Sequence, residues 1–124
     1  MPKPMLCVDF DGVIHHYVTP NQPWDPTRVH DGPTEGAIRF LRMASEEMRV
    51  AVYSSRSHQP GGIEAMQEWL RRHLRAGDSG WYAGLLFPRE KPPAHVSLDD
   101  RALTFDGTWP SIRTLLEFKP WNRK

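Results

Sequence analysis

The strongest constraint on the fold lies near the amino terminus, in the segment Met5–Val13, MLCVDFDGV. Four successive apolar residues predict a short strand that is buried on both faces. Asp9 and Asp11 stand where this strand must end, and carboxylates are among the side chains least often buried. Two adjacent carboxylates repel each other unless a cation neutralises them. The segment therefore indicates a cation site or an ordinary surface turn, in which Asp and Gly are also common.

Magnesium is the simplest cation for such a site. Mg2+ prefers oxygen ligands and is commonly shared between one or two carboxylates and a substrate phosphate. The side chain of Asp9 and the backbone carbonyl of Asp11 can face one ion, which leaves the Asp11 side chain for another task. Gly12 permits a tight turn that brings backbone amides close to an anion.

Size and charge narrow the class of protein. The chain has 124 residues and a net charge of +1, which predicts one domain over 1–124 and no global attraction to nucleic acid or anionic lipid. No apolar run approaches the ~20 residues that cross a bilayer. The single cysteine, Cys7, cannot form an internal disulfide and is expected to be a small buried hydrophobe. We expect a cytoplasmic protein that makes no membrane contact.

The pattern of apolar residues predicts an α/β fold. Intervals of three and four predict helices over 34–48 and 63–74, and a closing helix with Ile112, Leu115 and Leu116 on its inner face. Short apolar runs predict four further strands, at 50–53, 85–87, 96–98 and 102–105. Alternating strands and helices are typical of an open parallel sheet, here of about five strands, with helices on both faces.

Two segments fall outside this pattern. Three prolines within seven residues exclude a regular helix from a flap loop at about 15–31, in which Trp24 either stacks on a substrate or anchors the loop. Residues 119–124 are predicted to form a tail anchored by Trp121. Three histidines in or near the flap lack the spacing and paired cysteines of a zinc site: His15, His16 and His30.

The carboxyl ends of parallel strands meet at one edge of a sheet, where ligands bind. Chemically active side chains stand at the ends of three predicted strands: Asp9 and Asp11 at the first, Ser54 and Arg56 after 50–53, and Asp99 and Asp100 after 96–98. Lys91 precedes the strand at 96–98. Their convergence on one rim is harder to explain by turn chemistry than any single cluster.

These residues resemble the motifs of the haloacid dehalogenase (HAD) superfamily of phosphohydrolases, across nearly the whole chain. The segment 9–13 resembles the first motif, Ser54 the second, Lys91 the third and Asp99-Asp100 the fourth. The segments 54–56 and 99–101 are also similar to the phosphatase half of phage-type polynucleotide kinase-phosphatases. The resemblance implies a Rossmann-like, HAD-like fold and a Mg2+-dependent phosphomonoester hydrolase.

The resemblance also implies roles for the carboxylates. Asp9 would attack the phosphorus and form an aspartyl-phosphate. Asp11 would donate a proton to the leaving alcohol and then accept one from the attacking water. Asp9, the backbone carbonyl of Asp11, and Asp100 would hold Mg2+. Asp99 would orient Lys91, although family members differ in which of the two neighbouring aspartates binds the metal directly.

The remaining implied roles concern the phosphate and the rest of the substrate. Ser54 and the amides near Phe10 and Gly12 would bind phosphate oxygens, while Lys91 would balance the negative charge of the transition state. The predicted substrate-binding set is completed by Ser55, Arg56 and Arg101. Either arginine could instead pair with a nearby acid.

The sequence has no room for a cap domain. About twenty residues separate Ile14 from the first helix, and the gap between the second and third motifs holds one helix and a strand. An open site suits a large substrate, and nucleotide or polynucleotide 3′-phosphates are the preferred class. Phosphoproteins and small metabolites are the alternatives. The short connection from Lys91 to Val96 also leaves little room for the helix usual there.

Two other functions compete with hydrolysis. A binding or regulatory module could keep the fold without turnover, but it has no chemical need for Asp9, Asp11, Ser54, Lys91 and Asp100 together. Phosphoryl transfer to another acceptor usually needs a lid that excludes water. The sequence does not indicate the oligomeric state or the physiological substrate.

Overall fold

The computed structural model describes residues 2–19 and 22–123, without the side chain of Arg123. Pro20 and Asn21 of the predicted flap, and Lys124 of the predicted tail, lie outside the described residues. The elements in chain order are β1 (Met5–Asp9), α1 (Ala37–Glu47), β2 (Arg49–Tyr53), α2 (Gly62–Arg72), α3 (Ser79–Ala83), β3 (Val96–Leu98), α4 (Ile112–Leu116) and a 3-10 helix at Trp121–Arg123. No helix in the described part of the chain has the length and apolar character needed to cross a membrane.

The three strands form an open parallel sheet in the order β2-β1-β3. Leu6 pairs with Val50 on one side and with Val96 on the other. The α/β class and the parallel sheet are thus confirmed. Because all three strands run in one direction, the residues that follow them emerge at the same edge.

The sheet has fewer strands than the five predicted. Leu86 makes only an isolated bridge with Ala51, in which its amide donates to the Val50 carbonyl over 2.9 Å. Residues 102–105 form no strand and are exposed. A turn after β3, in which the Arg101 amide donates to Asp99 Oδ1 over 2.8 Å, directs the chain away from the sheet, so residues 102–105 have no strand to pair with.

The main core lies on one face of the sheet. Leu6 and Val8 of β1 pack in one buried cluster with Leu41 of α1 and with Met66 and Leu70 of α2. Both long helices therefore pack on the same face, because consecutive right-handed crossovers that advance in one direction leave their helices on one side. Cys7 points to the other face and is a buried free thiol, as predicted.

The prediction of helices on both faces differs from the structure for a topological reason. The chain reverses direction across the sheet between Leu86 and β3, and a helix in that crossover would cover the second face. Residues 87–95 contain no helix. The closing helix also differs: α4 forms where predicted, but Ile112, Leu115 and Leu116 are exposed. Its predicted inner face packs on no other element of the described chain.

Candidate functional site

Three carboxylates meet at the edge where β1 and β3 end. Asp9 is the last residue of β1, while Asp99 and Asp100 directly follow β3. One carboxylate oxygen from each lies within 4.8 Å of the other two. The parallel pairing of β1 with β3 explains the meeting, because it places the two strand ends side by side.

The surroundings of this acidic cluster favour a bound cation. Burial, a hydrogen bond with Asp100 and the charges of Asp99, Asp100 and Asp11 raise the pKa of Asp9 to about 9. A divalent ion would neutralise the repulsion among these acids, which adds to the larger effect of burial. The donor set consists of oxygens only, as Mg2+ prefers. The residues present therefore fit a magnesium ion.

Gly12 allows Asp100 to approach the end of β1 closely. It has a φ of +86°, and a Cβ atom at this position would lie 2.1 Å from Asp100 Oδ2. Any other residue would displace the Asp100 carboxylate. Glycine is thus needed here for a close approach as well as for a turn.

The predicted phosphate-binding amides are already used by the fold. The Phe10 amide donates to the Tyr53 carbonyl over 2.9 Å, and the Gly12 amide donates to the His15 carbonyl over 2.8 Å. The Phe10 side chain is fully buried in the core. Neither amide has a proton free for a phosphate oxygen, so this part of the predicted site needs correction.

Asp11 lies in a different environment from Asp9. Its Oδ2 accepts from Arg56 Nε over 2.7 Å and from Ser54 Oγ over 3.0 Å, while its Oδ1 lies 2.9 Å from His15 Nδ1. Burial acts to raise the pKa of Asp11, but the hydrogen bonds from His15 and Arg56 and the charge of Arg56 outweigh it and lower the pKa. Asp11 is therefore held as a carboxylate.

His15 is a site residue that sequence reasoning missed. It is buried, and its Nε2 accepts a hydrogen bond from the Asp31 amide over 3.0 Å. Because Nε2 must then be unprotonated, Nδ1 carries the proton that is donated to Asp11. The amides of Ile14 and His15 both donate to the Phe10 carbonyl, which makes a helix-like turn. The spacing of four residues in such a turn was the available signal.

Arg56 contacts the site from the interior of the protein. The side chain is fully buried, and its Nη1 donates to the carbonyls of Pro26 and Arg28 over 3.0 and 2.7 Å. The predicted contact of Arg56 with substrate phosphate is therefore not available in this structure. The alternative reading, pairing with a nearby acid, is the one observed. Arg56 joins the flap loop to Asp11.

Ser54 is buried, and its hydroxyl donates to Asp11 while accepting from the Arg56 amide over 3.1 Å. Ser55 and Arg101 are exposed beside the site. Lys91 is also exposed, and no ion pair joins it to an acid among the described residues. Its charge instead acts on Cys7, where burial raises the thiol pKa and Lys91 opposes the shift. The predicted pairing of Lys91 with Asp99 is absent.

The tail contacts the backbone of Gly12 and His16, at the start of the flap. Trp121 Nε1 donates to the Gly12 carbonyl over 2.7 Å, and Asn122 donates to the His16 carbonyl over 2.7 Å. The rings of His16 and Trp121 stack with their centres 5.7 Å apart. Trp24 is exposed and lines a cavity of about 480 Å³ formed by flap residues alone.

No family model, curated protein or solved structure matches this chain. A proposal for its function must therefore come from the site itself.

Proposed function

We propose that the protein is a Mg2+-dependent phosphomonoester hydrolase with a HAD-like fold that forms an aspartyl-phosphate on Asp9. The observation that carries the proposal is the meeting of Asp9, Asp99 and Asp100 at one strand edge. Asp11, two residues from Asp9, has its pKa shifted in the opposite direction. Carboxyl groups whose environments push their pKa values apart are suited to different catalytic roles.

The metal would be held by Asp9, Asp100 and the backbone carbonyl of Asp11, with Asp99 offering a further oxygen. When bound, Mg2+ would neutralise the clustered carboxylates and the phosphate charge. Since the Asp9 carboxyl has a pKa of about 9 among its acidic neighbours, the carboxylate needed as a nucleophile depends on that neutralisation.

Asp9 and Asp11 would divide the chemistry between them. One oxygen of Asp9 would form a bond to phosphorus as the bond from phosphorus to the alcohol oxygen breaks. Asp11 rests as a carboxylate, so it would first take a proton from solvent and then supply that proton to the alcohol. Water then attacks the phosphorus of the aspartyl-phosphate and gives a proton to Asp11. Inorganic phosphate leaves, and the Asp9 carboxylate is restored.

Ser54 could link phosphate binding to the protonation of Asp11. Its hydroxyl has one proton, which it donates to Asp11 Oδ2 over 3.0 Å in this structure. A phosphate oxygen that accepts this proton would remove one stabilising hydrogen bond from the Asp11 carboxylate. The pKa of Asp11 would then rise toward the range that a general acid needs.

The exposed groups at the edge suit the substrate side of the site. Lys91, Ser55 and Arg101 are all open to solvent, and the flexible Lys91 side chain would have to turn toward Asp9 to balance the phosphate charge. We retain nucleotide or polynucleotide 3′-phosphates as the proposed substrate class, with phosphoproteins and small metabolites as alternatives. Hydrolysis of a 3′-phosphorylated oligonucleotide should weaken as salt rises, whereas that of a mononucleotide should change less.

A second candidate function is a metal-binding module without turnover. Two observations favour it: Lys91 is unpaired among the described residues, and three donors hold Asp11 as a carboxylate. A silent module would bind Mg2+ through the same three aspartates. It would not transfer a phosphoryl group.

One experiment separates the two candidates. Hydrolysis of an aryl phosphate is measured with and without Mg2+ for the wild type, Asp9→Asn and a control, Asp106→Asn, in which the substituted aspartate is exposed and lies outside the site. We expect Mg2+-dependent turnover in the wild type and the control, and a loss on the order of 10⁴-fold in Asp9→Asn. Calorimetry with Mg2+ runs in parallel. Binding without turnover on any phosphorylated substrate class would favour the silent module, and the absence of both would reject the metal site.

A further inference from the structure

Residues 101–117, which we name the apolar lobe, are exposed along their entire length. Six large apolar side chains in the lobe are between 47% and 84% exposed: Leu103, Phe105, Trp109, Ile112, Leu115 and Leu116. Helix α4 lies within the lobe and packs on no other described element. A five-residue helix is marginal alone in water, so a partner that covers this surface would stabilise it.

The lobe has local order although it packs on nothing. Ser111 Oγ accepts from the Thr114 amide over 3.1 Å at the start of α4, and the rings of Phe105 and Trp109 lie 4.8 Å apart. Both ends of the lobe are fixed beside Gly12, because Asp100 abuts that residue and Trp121 donates to its carbonyl. The apolar side chains are therefore presented to solvent on a tethered projection.

A matching apolar surface lies elsewhere on the same chain. A cavity of about 270 Å³ between α1 and β3 is lined by Val8, Val13, Ile14, Phe40 and Leu98, among others. Leu98 is 39% exposed, and its neighbour Val96 is 47% exposed. We name this surface the β3 groove. Its outer border is an edge strand, which other chains readily approach.

We propose that a second copy of this chain covers both surfaces, with the lobe of each copy packed in the β3 groove of the other. Because each chain carries one lobe and one groove, a two-fold axis would satisfy both in a closed dimer. Burying the six side chains would remove on the order of 700 Å² of apolar surface per copy, since one aromatic side chain carries about 150–250 Å². A stable interface needs about 800 Å² per partner, so the lobe alone would supply most of the area that a stable dimer requires.

Charge does not oppose this contact. The lobe contains two arginines and two acids, so its net charge is zero. Arg113 and Glu117, two of the four, already face each other on α4 over 3.7 Å. The lobe can therefore enter an apolar groove without bringing an excess of one charge.

The test begins with the mass of the full-length protein in solution, measured by sedimentation equilibrium. We expect a dimer. Two variants should each be monomeric: Trp109→Ser/Leu116→Ser, which removes lobe contacts, and Val96→Ser/Leu98→Ser, which removes groove contacts. The control Val18→Ser/Leu86→Ser removes two similarly exposed apolar side chains outside both surfaces and should stay dimeric. All substituted residues are exposed, and circular dichroism verifies that each variant folds.

Mixing the two monomeric variants gives the decisive result. One intact lobe and one intact groove then meet in the mixed pair, so a heterodimer should form although neither variant dimerises alone. A monomeric wild type throughout the micromolar range would overturn the proposal. So would a dimer that is lost in the lobe variant but kept in the groove variant, because that pattern indicates contact between two lobes.

Discussion

Asp9 and Asp11 are two residues apart, yet the fold treats them as different chemical groups. Asp9 faces two other acids, and its pKa is raised to about 9. Asp11 receives hydrogen bonds from three side chains in two parts of the chain: His15, and Ser54 and Arg56 after β2. Strand β1 ends at Asp9 and the chain then turns, so the two side chains enter different environments. Asp9 is surrounded by acids, whereas Asp11 is paired with the Arg56 guanidinium.

The difference between the environments of Asp9 and Asp11 shows which part of the site stabilises the fold. Arg56 is buried and ion-paired with Asp11 over 2.7 Å, so the Asp11 cluster is part of the stable structure. The acidic cluster opposes folding, because burial and the neighbouring acids raise the pKa of Asp9 above its value in the unfolded chain. The free energy of unfolding can therefore test the difference between the two carboxyl groups without any substrate.

The largest expected effect concerns the matched substitutions Asp9→Asn and Asp11→Asn. Asp11→Asn leaves the Arg56 guanidinium buried without its counter-charge, which should lower the free energy of unfolding by about 3–5 kcal/mol. Burial and the neighbouring acids raise the pKa of Asp9 to about 9 in the folded protein, whereas this carboxyl group ionises well below pH 7 in the unfolded chain. Asp9→Asn removes that cost, so the metal-free variant should be at least as stable as the wild type at pH 7. Urea unfolding at pH 7 in a chelator measures both. Equal losses would show that the two environments do not differ.

The double variant Asp11→Asn/Arg56→Met serves as a control for this explanation. Removing both charges should cost less than removing Asp11 alone, because no buried cation remains unpaired. If the double variant were less stable than Asp11→Asn by the full cost of Arg56→Met, the two residues would act independently.

The next largest effect is expected at Gly12, which joins the two environments. Gly12→Ala should weaken Mg2+ binding roughly tenfold or more, because the new Cβ would displace the Asp100 carboxylate. Gly77→Ala is a matched control, since Gly77 also has a positive φ, of +94°, but has open space around it. Calorimetry measures the affinity of both. Equal affinities in the two variants would contradict the role of the close approach.

Much of this arrangement could be predicted from the sequence, because it depends on local patterns. The helix predicted over 34–48 is observed as Ala37–Glu47, and the helix predicted over 63–74 as Gly62–Arg72. The strand ends that carry Asp9, Ser54 and Asp99 follow from short apolar runs in a parallel sheet. The acidic cluster is a direct consequence of that topology.

The features that were missed depend on tertiary contacts. His15 has no pattern of its own, and its role appears only when the turn after Gly12 and the Asp31 amide fix its two ring nitrogens. The exposure of Arg56 could not be judged from its position after β2, because the flap carbonyls that bury it are far away in sequence. Apolar spacing placed α4 correctly but could not identify what the helix packs against.

Substitutions of His15 test how Asp11 is positioned, and their effect is expected on the rate rather than on metal affinity. The Asn side-chain amide can donate near the position of the His15 Nδ1 proton, whereas the alanine variant cannot. If Asp11 is the general acid, His15→Ala should slow hydrolysis of an alkyl phosphate by on the order of 10²-fold and of an aryl phosphate much less, because a poor leaving group needs the proton more. His15→Asn should recover part of the loss. A uniform loss on both substrates would indicate a structural role only.

The smallest effect is expected at Asp31, which holds the flap on the side of His15 away from Asp11. Its Oδ2 accepts from the amides of Val18 and Thr19, each over 2.8 Å. Burial acts to raise the pKa of Asp31, but the hydrogen bonds from Thr19 and Val18 outweigh it and lower the pKa. A carboxyl group with a lowered pKa stabilises the fold fully above its unfolded value, about 3.9, and this contribution is lost as the pH falls through the folded value.

The wild type should therefore exceed Asp31→Asn in unfolding free energy by about 1 kcal/mol at pH 7, and the difference should shrink below about pH 4. Urea unfolding across that range measures the difference, with Asp106→Asn as a control for an exposed aspartate that accepts from one nearby amide. A difference that stays constant down to pH 2.5 would show that the ionised form of Asp31 does not hold the flap. The flap would then depend on contacts of its backbone, such as the two carbonyls that accept from Arg56 and the Asp31 carbonyl that accepts from Trp69, rather than on the Asp31 carboxylate.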